Sequence, residues 1–355
     1  MHDSVAGAPP AATGRFEQLP KALNLIPMVA QWLWLGLRYG SLTLPSCANP
    51  GITSGGLVGE GKLEYFRAMG PLARSATAEH VDFVAGECTR DDVLAALADA
   101  GISLPAVAKP DVGWCGYGVR LLHDTDDIDD YLRRFPDGHR FLLQRYLSAP
   151  GEAGLFYVRE PDATSGRLLG ILLRHYPAVT GNGRDSVATL VQHDERLQRA
   201  LRAPGHELRF DPDYVPTVGE RMRLSTVAST RVGGAYADGS EHATAALTAR
   251  VDAIARDMGE FHVGRFDVRY ESLDALRAGD FRIMEVNGAG SEAVHAWDPK
   301  YSIRDVYRIV FEKQRLLFRI SAANRARGRR PISALALARL YLAQQRAIAL
   351  YPPSN

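Results

Sequence analysis

The stretch "FRIMEVNGAGSEA", residues 281 to 293, decides how this chain is read, because an apolar run ends with Glu285 and Asn287 two positions apart ahead of a glycine-rich turn. In an extended chain, side chains two apart share a face, so a carboxylate and a carboxamide offer their oxygens to one point. Upstream, "HVGRFDVRY", residues 262 to 270, repeats the device with Arg265, Asp267 and Arg269. If the two segments pair, Asp267, Glu285 and Asn287 form an all-oxygen cluster beside arginines, a donor set suited to Mg²⁺ holding a polyphosphate. The competing reading is two amphipathic strands with solvated polar faces.

The chain around this pair is long enough, at 355 residues, for two or three domains and a sizeable core. A hydrophobic fraction of 46%, a charged fraction of 23% and a net charge of +1 describe an ordinary globular protein and argue against a disordered or nucleic-acid-coating one. Three cysteines without a CxxC pair argue against a disulfide framework and a structural zinc site, and point to a reducing compartment. The opening "MHDSVAGAPPAATGRFEQLPK" lacks the basic start and apolar core of a secretory signal, so a cytoplasmic location is expected.

The two ends differ in character. Residues 23 to 45, "LNLIPMVAQWLWLGLRYGSLTLP", are apolar and aromatic but interrupted by Gln31 and Arg38. From Ile26 to Tyr39 the stretch is short and broken for a bilayer span, which favours a core helix, then a helix lying at a membrane interface, over a true span. From Ser302 onward there are 11 Lys or Arg against two Asp or Glu, a local charge near +9, concentrated in "EKQRLLFRISAANRARGRRP". Such asymmetry invites a partner: acidic lipid headgroups at the inner face of the membrane, or an acidic protein; the alternative is a solvated helix face. Beyond Pro331, "ISALALARLYLAQQRAIALY" predicts a helix with an apolar stripe, packed on the body or serving as a docking surface.

Between the ends, "GKLEYFRAMG" and "RDDVLAALADAG" predict helices, the second with Thr89 as N-cap and Gly101 as its stop. "AVAKP" predicts a short strand, "DTDDIDDYLRRF" a helix with acids at its N-terminus, and "HRFLLQRYL" and "AGLFYVRE" two strands around a Pro-Gly turn. "RLLGILLRHYPAV" continues the β character and "HATAALTARVDAIARDMG" returns to helix. Strands and helices mix without strict βαβ periodicity, so the expected class is α+β.

In "AKPDVGWCGYGVR", Lys109 leaves a strand and Gly113, Gly116 and Gly118 follow within nine residues. Glycines permit a tight turn whose backbone N–H groups approach phosphate oxygens, and a lysine supplies a point charge. The run is neither a Rossmann GxGxxG nor a Walker A loop, since no GK[ST] follows. Cys115 within it has no adjacent histidine, and a nucleophilic role is not expected. Lys62 stands 47 positions earlier at a helix start, and "FLLQRYLSAPGEAG" ends an apolar strand in a polar stretch. Such a hinge can present backbone groups to an adenine edge, while Glu152 can accept hydrogen bonds from ribose hydroxyls. His175, His262 and His295 have no partner in the sequence, and structural or surface roles are expected for them.

The order of these features resembles the ATP-grasp superfamily, with nearest likeness to D-alanine–D-alanine ligases and to ligases of the cyanophycin synthetase and glutathione type. The resemblance covers roughly residues 60 to 299. It implies an ATP-grasp fold in which two α+β subdomains sandwich ATP, with a short atypical N-terminal region and a helical C-terminal tail. The boundaries expected are residues 1 to 60, 61 to 150, 151 to 300 and 301 to 355. It implies Asp267, Glu285 and Asn287 as ligands of two Mg²⁺ ions, for which Mn²⁺ can substitute, and Arg265 facing the reacting carbonyl. Lys62 and Lys109 match the phosphate lysines, Gly113, Gly116 and Gly118 the mobile lid, Gln144, Arg145, Tyr146 and Leu147 the adenine hinge, and Glu152 the ribose acid. "RHYPAVTGNGRDSVATLV" and "GERMRLSTVASTRVGGAYAD" resemble the insert of cyanophycin-synthetase-type modules, making Arg174, Arg223 and Arg231 candidates for phosphate or substrate contacts.

The activity implied is the joining of a small-molecule carboxylate to an amine at the expense of ATP, with no nucleic-acid partner and the subunit number open. Three departures separate the chain from that pattern. Gln144 replaces the usual hinge glutamate, and fewer residues precede Lys62 than a full first domain requires, which admits a non-catalytic ATP-binding scaffold. "GAGSEAVHAWDP" replaces the ligases' Pro-Gly turn, so acceptor contacts do not transfer. The Trp-rich segment and the basic end admit a ligase working at a membrane on a lipid-linked substrate.

Overall fold

The computed structural model describes residues 14, 16, 19–203, 205–207 and 210–355; most of the N-terminal stretch read above for a secretory signal lies outside them. In chain order the first elements are α1 (Lys21–Tyr39), α2 (Lys62–Ala68), α3 (Pro71–Ser75), β1 (His80–Val84), α4 (Arg90–Asp99), β2 (Ala106–Pro110) and β3 (Arg120–Leu122). Then come α5 (Thr125–Arg134), β4 (Arg140–Arg145), β5 (Gly151–Val158), β6 (Arg167–His175), β7 (Ala178–Thr180), α6 (Val187–Gln192), α7 (Gln198–Arg202) and β8 (Arg221–Arg223). The remainder is β9 (Ala235–Asp238), α8 (Ala245–Asp257), β10 (Val263–Tyr270), α9 (Leu273–Ala278), β11 (Arg282–Asn287), α10 (Ile303–Ala326) and α11 (Ala334–Leu350).

These elements form two compact units, each drawn from three separate stretches. The first comprises the described residues of Met1–Ala78, Ser148–Leu173 and Tyr236–Gln344; the second comprises those of Glu79–Leu147, Arg174–Ala235 and Gln345–Asn355. The expected α+β class is what the chain adopts: both main sheets are built from antiparallel pairs, flanked by helices.

In the first unit the five-stranded sheet runs β11-β10-β5-β6-β9. The alternation of "VGRFDVRY" sends Phe266, Val268 and Tyr270 to one buried face and Arg265, Asp267 and Arg269 to the other. At its far end this second face is apolar: Val263, Phe156 and Val158 pack with Leu317 and Ile320 of α10. The apolar face of α10 is therefore part of this unit's core, while Arg315, Arg319, Arg325 and Arg327 on the same helix and just after it stay exposed. Phe318 meets Trp32 of α1 edge-on at 5.2 Å, and the Asn324 carboxamide donates to the Cys47 carbonyl at 2.8 Å. Asn49 ties the same core together, donating to the Val263 carbonyl at 2.8 Å and accepting from the amides of His262 and Val263 at 2.8 and 3.0 Å.

In the second unit the four-stranded sheet runs β1-β4-β2-β3. Ala106, Ala108, Phe141 and Leu143 face a core shared with Val93 and Leu97 of α4 and Ile128, Tyr131 and Phe135 of α5. The expected caps are present. The Thr89 hydroxyl accepts the Asp92 amide at 3.3 Å while the Asp92 carboxylate accepts the Thr89 amide at 2.8 Å, and Gly101 follows the helix at φ 66°. Asp124 caps α5, accepting the Asp127 amide at 2.9 Å.

Candidate active site

β10 and β11 pair antiparallel with Asp267 opposite Glu285 and Arg265 opposite Asn287. Residues directly opposite each other project to the same side, so all four side chains occupy one face of the sheet. On the next strand, β5, Gly154 opposes Asp267 and Glu152 opposes Arg269, which extends the polar strip by one more carboxylate.

The contacts within the strip are specific. Asp267, only 1% exposed, accepts Arg265 Nε at 2.6 Å on Oδ1 and Arg265 Nη2 at 3.0 Å on Oδ2; Asn287 Nδ2 donates to the same Oδ2 at 3.1 Å. Glu285 Oε1 lies 3.3 Å from Lys62 Nζ. Lys62 is the first residue of α2, whose start is fixed by Glu64: its carboxylate accepts the Gly61 amide at 3.1 Å and the Thr53 amide at 2.7 Å. Glu152 is buried beside Arg269 Nη2 at 3.4 Å, and Arg269 Nη1 also donates to the Ala149 carbonyl at 3.1 Å. Opposed charges at this depth hold one another in place, since either alone would face a large desolvation cost.

Three contributors were not apparent in the sequence. A Cβ on Gly154 would stand 2.8 Å from Arg265 Cδ and 3.1 Å from Asp267 Oδ1, so the glycine makes room for the Arg265–Asp267 pair. Lys313 of α10 donates to the Ser291 carbonyl in the turn after β11 and lies 5.6 Å from the Phe156 ring centroid. Burial pulls its ammonium down to about 8, with Glu292 opposing the shift and Arg265 adding to it. Glu60, two residues before Lys62, has its carboxyl pushed up to about 7 by burial. Gly154 and Glu60 left only the small residue in "GEAGLFYV" and the acid in "GEGK" as signals; Lys313 left none.

The remaining candidates belong to the second unit. Lys109 opposes Leu142 and Gln144 opposes Val107, so both lie on the face of the four-stranded sheet turned away from its apolar core, and both are buried. Tyr146 and Leu147 follow β4 half-buried, whereas Arg145 turns to Glu79 Oε2 at 2.7 Å and to the Gly101 carbonyl at 2.7 Å. Gly113 opens a turn in which Cys115, Gly116 and Gly118 take φ values of 48°, 76° and 72°. Arg231 grips that turn: its guanidinium sits 4.2 Å over the Tyr117 ring, Nε donates to the Cys115 carbonyl at 3.4 Å, and Nη2 donates to Ser354 Oγ at 2.8 Å. Arg223 stacks on Tyr176 at 3.2 Å, and Arg174 lies half-buried on β6. The candidates thus divide into Lys62, Glu152, Arg265, Asp267, Glu285 and Asn287 on one unit and Lys109, the glycine turn, the hinge, Arg174, Arg223 and Arg231 on the other.

No model of a known protein family matches the chain, and no curated protein matches it. Solved structures give distant likenesses. D-alanine–D-alanine ligase from Bacillus anthracis is 15% identical, covering 78% of this chain and 70% of that one at a TM-score of 0.41. VanG D-Ala:D-Ser ligase from Enterococcus faecalis is 13% identical, covering 76% and 64% at 0.41. A bifunctional glutathione synthetase from Pasteurella multocida is 17% identical, covering 71% and 36% at 0.36, so this chain spans about a third of that protein's length. At these scores no activity is carried across from them.

Proposed function

We propose that this protein is an ATP-grasp ligase that activates a small-molecule carboxylate as an acyl phosphate and joins it to an amine. The observation that carries the reading is the single face on which Arg265, Asp267, Glu285 and Asn287 stand, with Lys62 against Glu285.

The donor chemistry fits a hard divalent cation. Among the described residues no three His, Cys, Asp or Glu side chains gather as a metal cluster, but this face offers two carboxylates and a carboxamide, each carboxylate already facing a cation. Asp267, Glu285 and Asn287 would hold Mg²⁺, two ions or Mn²⁺ in their place, as Arg265 and Lys62 turn to the substrates. Ions held there would supply neutralisation of the negative charge that a nucleotide's phosphates bring.

The residues supply the rest. On the first unit Lys62 is the phosphate contact; on the second, Lys109 and the backbone N–H groups of the Gly113, Gly116 and Gly118 turn are phosphate contacts, with Arg174 and Arg223 as further anion contacts and Arg231 holding the turn. Backbone groups from Gln144 to Leu147 take the adenine edge, and Glu152 the ribose hydroxyls. A substrate carboxylate oxygen attacks the γ-phosphorus and ADP leaves. The amine then attacks the acyl carbon, Arg265 stabilises the oxyanion, and phosphate departs with the carboxylate oxygen while the amine loses a proton. Closing the turn keeps water from the acyl phosphate.

The test is release of ADP from ATP with Mg²⁺ across a panel of carboxylates, each with and without amines. Amine-dependent ADP release and an amide product are expected. Nucleotide binding with no turnover on any pair would favour the ATP-binding scaffold. A cytoplasmic location fits small-molecule substrates. A second reading, a ligase at the inner face of a membrane acting on a lipid-linked substrate, is favoured by the packing of the Trp-rich helix on the basic helix α10.

A further inference from the structure

Helix α1 carries apolar residues on both faces. Its inner face packs Trp32 and Leu35 with Phe318, and there the Asn24 carboxamide donates to the Phe16 carbonyl at 2.8 Å and Gln31 Nε2 to the Phe311 carbonyl at 2.9 Å. Leu23, Leu25, Ile26, Val29, Leu33, Trp34 and Leu37 face outward instead, Ile26 at 62% and Leu37 at 82% exposure. Ile26, Val29, Leu33 and Leu37 follow the three-and-four spacing that places them in one line, and from Leu23 to Leu37 the stripe runs about 21 Å. Exposed leucines occurring singly need no explanation, but a continuous line of them on one helix marks an interaction surface.

One edge of the stripe is cationic. Arg38 lies 5.6 Å over the Trp34 ring, and beside it a groove of about 330 Å³ opens between α1 and α10, lined by Trp34, Arg38, Tyr39, Glu312, Arg315 and Arg319. Glu312 faces Arg167 at 3.6 Å and Arg319 is bonded to Glu160 at 2.8 Å; Arg38 and Arg315 make no ion pair among the described residues. An apolar stripe bordered by tryptophan and then by arginine repeats, in order, the layers of a membrane interface: acyl chains, the boundary, and the phosphates. Among the described residues no helix is long and apolar enough to cross a bilayer, so the helix would lie in the surface.

We propose that the outward face of α1, with Arg38 and Arg315 along its edge, seats the protein on an anionic phospholipid surface. The two arginines meet headgroup phosphates, and Leu33, Leu37 and their neighbours enter the acyl boundary. This deepens the membrane reading above and does not depend on the nucleotide chemistry.

The experiment is flotation of the full chain with vesicles of phosphatidylglycerol and phosphatidylcholine, and with phosphatidylcholine alone, running nucleotide binding on the same preparations. The wild type is expected to float with the anionic vesicles. Leu33→Glu with Leu37→Glu should abolish flotation. Arg38→Gln with Arg315→Gln should weaken it roughly 25-fold, each arginine near an anionic surface changing partitioning roughly fivefold. All four side chains are exposed, so unchanged thermal melts are expected to show that the variants fold. No flotation of the wild type, or flotation indifferent to either pair of substitutions, overturns the proposal. So does a wild-type dimer that Leu33→Glu with Leu37→Glu splits while lipid has no effect, which would give the face to a second copy. Flotation without nucleotide binding would leave this proposal standing and bring down the ligase.

Discussion

Arg265 and Asp267, two positions apart on one strand, are joined by two parallel hydrogen bonds of 2.6 and 3.0 Å. The strand geometry that sends both to the same face also makes the arginine the carboxylate's chief counter-charge. A group proposed to stabilise an oxyanion is thus held beside a proposed metal ligand, and the two are coupled through these bonds.

That coupling is measurable by denaturant unfolding without metal. Arg265→Ala strands a buried carboxylate and should cost about 3–5 kcal/mol. The double change with Asp267→Asn should cost clearly less than the two single effects combined; additive costs would mean the pair is not coupled.

In turnover, Arg265→Ala should leave nucleotide affinity nearly intact while the chemical step loses about 3–4 kcal/mol of transition-state stabilisation. Equal loss of binding and turnover would discredit the oxyanion role.

For Glu285→Gln and Asp267→Asn, titration calorimetry should show a fall in Mg²⁺-dependent ATP affinity. Affinity unchanged in both would remove the metal assignment.

The glycine turn gives a steric prediction. Gly116 has φ 76°, and a Cβ there would lie 2.6 Å from Val227 Cγ1. Gly116→Ala should cost about 1–3 kcal/mol, of which Val227→Ala recovers the crowding and not the backbone strain. Thermal melts of the three variants separate the two parts.

Acid should weaken the first unit through His262. Burial, then the charge of Arg159, holds its pKa down at about 4, with Glu260 opposing and Arg327 adding a smaller push downward. A folded value below the unfolded one means the unfolded chain takes the proton first. Its contribution to stability is therefore intact above about pH 6.5 and is lost as pH falls from there toward 4, by about 3 kcal/mol in all. His262→Leu should flatten that part of the stability curve; an unchanged curve would exclude the histidine as its source.

Much of the fold was legible because local signals agreed with tertiary packing. Alternation gave the strands carrying Arg265, Asp267, Glu285 and Asn287, and the Thr89–Asp92 box and Gly101 bounded a helix as expected. The pairing of β10 with β11 could be guessed from proximity in the chain. Lys313 could not, since nothing local links a helix residue to the turn holding Ser291. Orientation was equally hidden on α1: its apolar residues run round the helix, and only the packing of Trp32 and Leu35 on Phe318, with the bonds of Asn24 and Gln31, shows which side is inner.

Each unit is stitched from three stretches, and the first waits for residues up to Gln344. During synthesis β5 emerges well before α10, so Phe156 and Val158 must sit uncovered on the ribosome until Leu317 and Ile320 arrive. The nascent chain is therefore a natural client for chaperones, and no single cut of the coding sequence would yield a fragment that matures alone.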